Sequence, residues 1–378
     1  MFKRPLVGIL GFSGVLGQMV YKTLVPKYAI RGGQRSTIGC LEDDPSVEIM
    51  EVDIHEKSVL NKFCLGCDVV VNCAGPSFKI KERVARAANQ AGADYVDAFG
   101  ANILEDILLE KSIGTQNINI ISAGSFPGLS ALLPRWLSLQ YFNEITSLLG
   151  YCGGQEYTSK AATIDLLLST VSGFGRANAE IKEGDIVSGS NLLKKAVILP
   201  CISQEVYAQK YLSCEMVKLA KLMGIPNLQW YTVMADQIIY DGFLKACALI
   251  ANDPRDTVLS ENAQVLSKLS AVASNDNSNW YSMVVELQGI IQGEEKRKRV
   301  VLKSADSGQL SGLIAAMSVE AILEKNLKRG VYWAFEVLDP EEVVEALKLS
   351  EGVKYLKVTD IPVRVDNGIQ LQREEGVL

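Results

Sequence analysis

Three glycines at three-residue spacing stand near the start of the chain, in Val7-Gly8-Ile9-Leu10-Gly11-Phe12-Ser13-Gly14-Val15-Leu16-Gly17. An apolar run, Pro5 to Leu10, precedes them and reads as a strand. Val15 to Leu24 follows with apolar residues at helical spacing. The order strand, glycine turn, helix restricts this chain more than any other feature does. Gly11 permits the tight turn, Gly14 lets backbone come up against a pyrophosphate, and Gly17 lets helix and strand close together. The helix N-terminus then presents unbonded N–H groups and a partial positive charge to the phosphates. A bare GxxGxxG is a weak signal, and the flanking elements supply the context it needs. A strand-to-helix turn with a purely structural role is the alternative. The turn as a whole (Gly11, Phe12, Ser13, Gly14, Val15 and Gly17) is expected to bind a dinucleotide in a βαβ unit.

Which dinucleotide is decided at the end of the second strand, expected over Tyr28 to Arg31. An NAD site places an acid there, to accept hydrogen bonds from the ribose hydroxyls. The residues are instead Arg31-Gly32-Gly33-Gln34-Arg35-Ser36. Arg35 can hold a 2′-phosphate through paired charge-assisted bonds, each worth roughly 1.5–3 kcal/mol, and Ser36 can add a hydroxyl. NADP(H) is therefore the expected cofactor, against the alternative of a solvated loop arginine. Asp53, after a third strand at Val47 to Val52, either contacts the adenine edge or caps the helix at Lys57 to Phe63.

Further strands are expected at Asp68 to Asn72, Asp94 to Asp97 and Ile118 to Ser122, with a helix at Glu82 to Ala91. Strands alternating with helices give a parallel sheet. After about residue 126 longer helices mix with strands. Ser282 to Ile291 and Arg297 to Lys303 read as a hairpin around Gly293-Glu294-Glu295, Ser311 to Glu324 as a helix, and Pro340 to Lys348 as a Pro-led helix. The fold class is α/β: an N-terminal Rossmann-type parallel sheet with an inserted α+β substrate and dimerisation domain. Residues 1–128, completed by about 305–378, would form the first domain, and 129–304 the second. A chain of 378 residues calls for two domains. Its net charge of −6 disfavours a general nucleic-acid role. No apolar run is long enough to span a membrane, and MFKRPLVGIL lacks the apolar stretch of a signal peptide. Eight scattered cysteines suggest reduced thiols and a cytoplasmic setting.

Asp68-Val-Val-Val-Asn-Cys-Ala-Gly-Pro76, Ala87-Ala-Asn-Gln-Ala-Gly-Ala-Asp-Tyr-Val-Asp97 and Ser122-Ala-Gly-Ser-Phe-Pro-Gly128 together resemble the saccharopine dehydrogenase (saccharopine reductase) family. The likeness covers the first 130 residues and is fainter beyond, where Ser304-Ala-Asp306 and the Ser311 helix continue it. It implies an NAD(P)-dependent oxidoreductase with a Rossmann domain, an inserted substrate domain and a homodimer. Ala74, Gly75 and Pro76 would then pass along the cofactor, and Gly128 would open a helix facing the cleft. The sequence departs from the family where a dicarboxylic opine would need gripping: no set of basic residues for it is recognisable in the second domain.

The proton donor is less legible. No tyrosine has a lysine four residues on, which excludes the Tyr-x-x-x-Lys pair of short-chain reductases; Tyr157-Thr-Ser-Lys160 misses by one. His55, the only histidine, lies on the adenine side. Asp97 ends a strand at the cleft edge, and Glu156, Tyr157 and Lys160 follow a Gly153-Gly154 turn. Asp97, Tyr157 and Lys160 are the candidate catalytic residues, each with ordinary structure as the alternative. Cys64-Leu-Gly-Cys67 precedes a strand and lacks a second pair, so neither redox nor zinc chemistry is expected, and no metal site is. Lys296-Arg297-Lys298-Arg299 is expected on a solvated hairpin, and Tyr332 to Phe335 in the core or at a dimer contact. The expected activity is NADPH-dependent reduction of a C=N or C=O carbon in a small metabolite, with the imine favoured by the resemblance. The alternatives are an amino-acid or opine dehydrogenase acting oxidatively and a non-catalytic NADP sensor.

Overall fold

The structure is a computed structural model that describes residues 4–36, 47–113, 115–189, 195–274 and 279–363. Its first part alternates as expected: β1 (Leu6–Leu10), α1 (Val15–Leu24), β2 (Ala29–Gln34), β3 (Val47–Glu51), α2 (Lys57–Cys64), β4 (Val69–Asn72), α3 (Ser77–Ile80), α4 (Arg83–Gln90), β5 (Asp94–Asp97), α5 (Ala101–Glu110) and β6 (Ile118–Ile121). The second part opens with α6 (Leu129–Tyr141), β7 (Glu144–Gln155) and α7 (Lys160–Val171). It continues through β8 (Gly175–Ala177), β9 (Ala179–Lys182), β10 (Asp185–Ser188), β11 (Lys195–Ile198), β12 (Glu205–Ser213), α8 (Cys214–Met223) and β13 (Asn227–Met234). Helices α9 (Gln237–Asn252) and α10 (Asp256–Ala273) then lead to β14 (Trp280–Ile291) and β15 (Glu294–Ser304). The chain closes with α11 (Ser307–Glu324), β16 (Gly330–Trp333), α12 (Ala334–Val337), α13 (Pro340–Leu349) and β17 (Val353–Asp360).

Seven strands form the first sheet, in the order β16-β6-β5-β4-β1-β2-β3, every neighbouring pair parallel. The strand order reverses between β1 and β4, which in an open α/β sheet is where ligands bind. All four residues of β4 are buried, so both faces of the sheet are covered, and the continuous run of valines is the consequence. Helix α1 lies against α11. A Cβ at Gly312 would come within 2.5 Å of Met19 Cβ and 2.7 Å of the Leu16 carbonyl oxygen, so the missing side chain lets these two helices meet.

The second sheet has ten strands, with β10-β9-β13-β7-β14-β15-β17 as its main path and β8, β11 and β12 joined to its side. One apolar core runs through both sheets, from Val7 through Leu137, Trp230 and Met283 to Leu347. The hairpin is present but its turn is tighter than expected: Ile291 pairs with Glu294, leaving Gln292 and Gly293 at φ 51° and 83°. That is the two-residue turn whose twist matches its strands.

Two other expectations are corrected, and the core reading of Tyr332 to Phe335 is met at two of its residues. The segment after residue 305 divides: β16 adds to the first sheet, while β17 pairs with β15 in the second. The basic run is an ion-pair ladder and not a solvated tip. Arg297 and Arg299 both grip the buried Glu286, and Lys298 reaches Asp360 on β17 at 2.7 Å. Trp333 and Phe335 are buried within this chain. No helix among the described residues is long and apolar enough to cross a membrane.

Candidate active site

At the carboxyl end of β1 the chain turns through Gly11 with φ +78°, and a Cβ there would stand 2.8 Å from the Cys73 carbonyl carbon. The Gly11 amide donates to the Gly33 carbonyl at 2.9 Å, tying the turn to β2. A Cβ at Gly17 would lie 2.3 Å from the Gly11 oxygen. Phe12 is buried and packs edge-on against Tyr21, so it anchors the turn and does not face a ligand. Ser13, Gly14 and Val15 are exposed. Gly14 caps α1 without a side chain, no acid stands in the first turn, and the amides of Val15, Leu16 and Gly17 are without backbone partners among the described residues. An open helix N-terminus of this kind suits a pyrophosphate.

Strand β2 extends three residues further than expected, to Gln34, so Arg35 is the first residue beyond it. Arg35 and Ser36 are exposed, and Arg35 has no ion-pair partner among the described residues. Arg31 is committed elsewhere: it bonds Glu48 and the carbonyls of Phe63 and Leu65. Asp53 is not the helix cap; Glu56 holds that position, and Asp53 Oδ1 accepts from the His55 amide at 2.8 Å.

The Ala74-Gly75-Pro76 turn follows β4 beside the switch point, with Gly75 exposed. Asp165 of α7 lies against it. Its two carboxylate oxygens accept from the Ser77 amide (2.8 Å) and the Phe78 amide (3.1 Å), and a Cβ at Gly75 would be 3.2 Å from Oδ2. Burial pushes the Asp165 carboxyl up to about 7, against the downward pull of those two amides. Two other carboxylates from the second part bridge in the same way. Glu156 accepts from the Ser307 amide (2.7 Å) and hydroxyl (2.6 Å) at the start of α11. Glu215, fully buried, accepts from the Gly128 amide at 2.6 Å and from the Ser130 hydroxyl at the start of α6. Burial lifts each of these to about 7 as well.

Asp97 is corrected as a proton donor to substrate. It is 1% exposed, and its oxygens accept from the Tyr95 hydroxyl, the Asn72 amide group and the Phe99 backbone amide. Those bonds lock the ends of β4 and β5, and burial raises its pKa. Tyr157 is exposed to solvent. Lys160 opens α7 next to Ala161, whose Cβ would lie 3.6 Å from a Cβ at Gly75. Lys160 has no ion-pair partner among the described residues. Asp165 and Glu215 were missed in the sequence. Their only signal was an acid inside an otherwise apolar helical stretch (Ile164-Asp165-Leu166-Leu167) and an acid two residues after a capping serine (Ser213). Cys64 and Cys67 are buried free thiols whose pKa values burial raises.

Comparison with known proteins decides what this frame is. The model of the saccharopine dehydrogenase NADP-binding domain matches residues 7–116. Over those residues the chain is similar to that domain. The cofactor is NADP(H), and the domain is that of a family of oxidoreductases. The apo saccharopine dehydrogenase (L-Glu forming) of Saccharomyces cerevisiae superposes with a TM-score of 0.69 at 15% identity, over 95% of this chain and 100% of that one. At that identity the match shows the fold, which thus extends beyond the first domain. The DAP dehydrogenase of C. glutamicum, solved with DAP, gives 0.47 at 14% identity over 93% and 100%. Uronate dehydrogenase of Agrobacterium tumefaciens gives 0.23 at 22% over 25% and 40%. The search of curated proteins gave no match. The residues fit the cofactor: an uncapped α1 N-terminus, a glycine turn that admits no Cβ at Gly11 or Gly17, and a cation in place of the ribose-binding acid.

Proposed function

We propose that the chain is an NADPH-dependent reductase acting on a C=N or C=O carbon of a small metabolite, with the imine preferred. The observation that carries this reading is Asp165, a carboxyl group lifted to about 7 and held at the Gly75 turn beside the switch point. The exposed amides of the Gly11–Gly17 turn would hold the pyrophosphate, Arg35 and Ser36 the 2′-phosphate, and Ala74 to Pro76 would line the rest of the cofactor. When bound, the cofactor supplies hydride. The chain's own part is to exclude water with α7 and to present a proton. With its carboxyl near 7, about half of Asp165 carries a proton at neutral pH, which it would supply or relay, and Lys160 on the same helix, without an ion-pair partner among the described residues, would orient an anionic group of the substrate. Tyr157 is a second candidate donor at that rim. Residues 129–304 would bind the substrate and pair the chain into a homodimer. The resemblance and the seven free cysteines among the described residues support a dimeric, cytoplasmic enzyme.

The test is transfer of label from [4-2H]NADPH to mixtures of 2-oxo acids with primary amines. Deuterated secondary amine is expected, with Asp165→Asn slowing kcat by roughly 10²-fold or more and removing the limb of the pH profile near 7. NADPH binding without label transfer to any imine or ketone would sink the reductase. A second reading has one observation in its favour: Ala161 and Asp165 already lie against Gly75. In a non-catalytic NADP sensor that contact is the switch, and amide exchange in α7 then responds to NADPH without turnover.

A further inference from the structure

A groove of about 290 Å³ lies between α2 and the α3–α4 segment, and none of its lining residues belongs to the proposed cofactor set. It is lined by five cations, Lys57, Lys79, Lys81, Arg83 and Arg86, against one acid, Glu82. That balance is unusual in a chain with 38 cations and 44 acids. Two of the cations are already paired: Lys79 with Asp256 of α10 at 2.9 Å, and Arg86 with Glu82 at 3.2 Å. Glu82 also receives Lys111 at 2.7 Å, so the one acid is saturated. Lys57, Lys81 and Arg83 are exposed and have no ion-pair partner among the described residues.

The backbone adds to this field. Helices α2 and α4 both begin at the groove, both lack a side-chain cap bond, and neither has an acid in its first turn. Lys57 and Arg83, the first residues of the two helices, both line the groove, so two positive helix ends lie at it. Glu56, the residue before α2, is exposed and makes no cap bond. Lys81 sits between α3 and α4 at φ 50°, ψ −135°, a conformation that residues with side chains avoid, and strain of this kind gathers at ligand sites.

We propose that this groove is a second anion site, distinct from the cofactor's, that binds a small phosphorylated molecule through Lys57, Lys81 and Arg83 and the two helix N-termini. A compact polyanion matches three point charges and two positive helix ends. Phosphate groups of the cofactor itself are the other possible source, and the experiment separates them. Inorganic pyrophosphate is titrated by calorimetry into the full chain with saturating NADPH present, so that the dinucleotide site is filled. Binding is expected to persist and to weaken about tenfold or more in Lys57→Ala/Arg83→Ala. Lys81→Gly should also weaken it while leaving the melting temperature unchanged or higher, because glycine accepts that backbone. Lys62→Ala, on α2 but outside the groove, should change nothing. An NADPH affinity unaltered in every variant shows that the fold is kept. Full displacement of pyrophosphate by NADPH, or equal binding in the double variant, overturns the proposal.

Discussion

At the residue scale, the proposed choice of cofactor turns on one side chain. Arg35 is the first residue past β2, exposed and without an ion-pair partner among the described residues, where an NAD site would carry a carboxylate. As proposed, its bonds to a 2′-phosphate would be charge-assisted and worth roughly 1.5–3 kcal/mol each. Arg35→Ala is therefore expected to weaken NADPH binding by about ten- to a hundredfold and to leave NADH nearly unchanged, read by fluorescence titration. Equal losses for both cofactors would place the arginine elsewhere. Its place just past β2 was legible because the motif sets the second strand at a fixed distance from the glycine turn. Asp97 shows the converse. It stands at the end of a strand, as a cleft acid does, but Tyr95, Asn72 and the Phe99 amide take up its oxygens. No spacing in the sequence distinguishes a carboxylate that faces substrate from one that ties two strand ends.

At the scale of elements, two features depend on contacts between segments far apart in the chain. The α1–α11 crossing rests on Gly312, where a Cβ would meet Met19 and the Leu16 carbonyl. Gly312→Leu must push the helices apart next to the phosphate turn. It is expected to destabilise by about 1–3 kcal/mol, the usual cost of overpacking, and to lower NADPH affinity with it. A thermal melt and a titration check both, and a melt unchanged within error would show that the helices can part freely. The β14–β15 hairpin was visible as two apolar runs around a glycine. Its basic stretch was misplaced because the partner, Glu286, lies across the hairpin and Asp360 on a strand from the far end of the chain.

At the scale of the molecule, three carboxylates from residues 156–215, Glu156, Asp165 and Glu215, are each seated on amides at the start of a helix. All three are lifted by burial to about 7 from ordinary values near 4. Between pH 4 and 7 the folded chain keeps protons that the unfolded chain has lost, so their contribution to stability falls as pH rises, by up to about 1.4 kcal/mol per pH unit for each. Above about pH 7 the folded groups ionise and the loss levels off. Glu215→Gln is expected to flatten the denaturant-derived stability curve over pH 5–7 by up to one proton relative to the parent chain. A parallel curve would show that Glu215 is ionised throughout that range.

What the sequence by itself determined is local: a strand, three glycines and a helix form the turn proposed for the phosphates, and a cation stands at a fixed offset from it. These follow from backbone conformation and spacing along a continuous segment, which residue order records directly. What only the tertiary structure decided is every pairing across the chain. Asp165 reaches Ser77 and Glu215 reaches Gly128, and β17 leaves the first part for the second sheet. Two separate helix ends also come together in one cationic groove. Burial and the electric field of a folded core give those residues their protonation states and partners, and neither exists until segments distant in sequence have packed together.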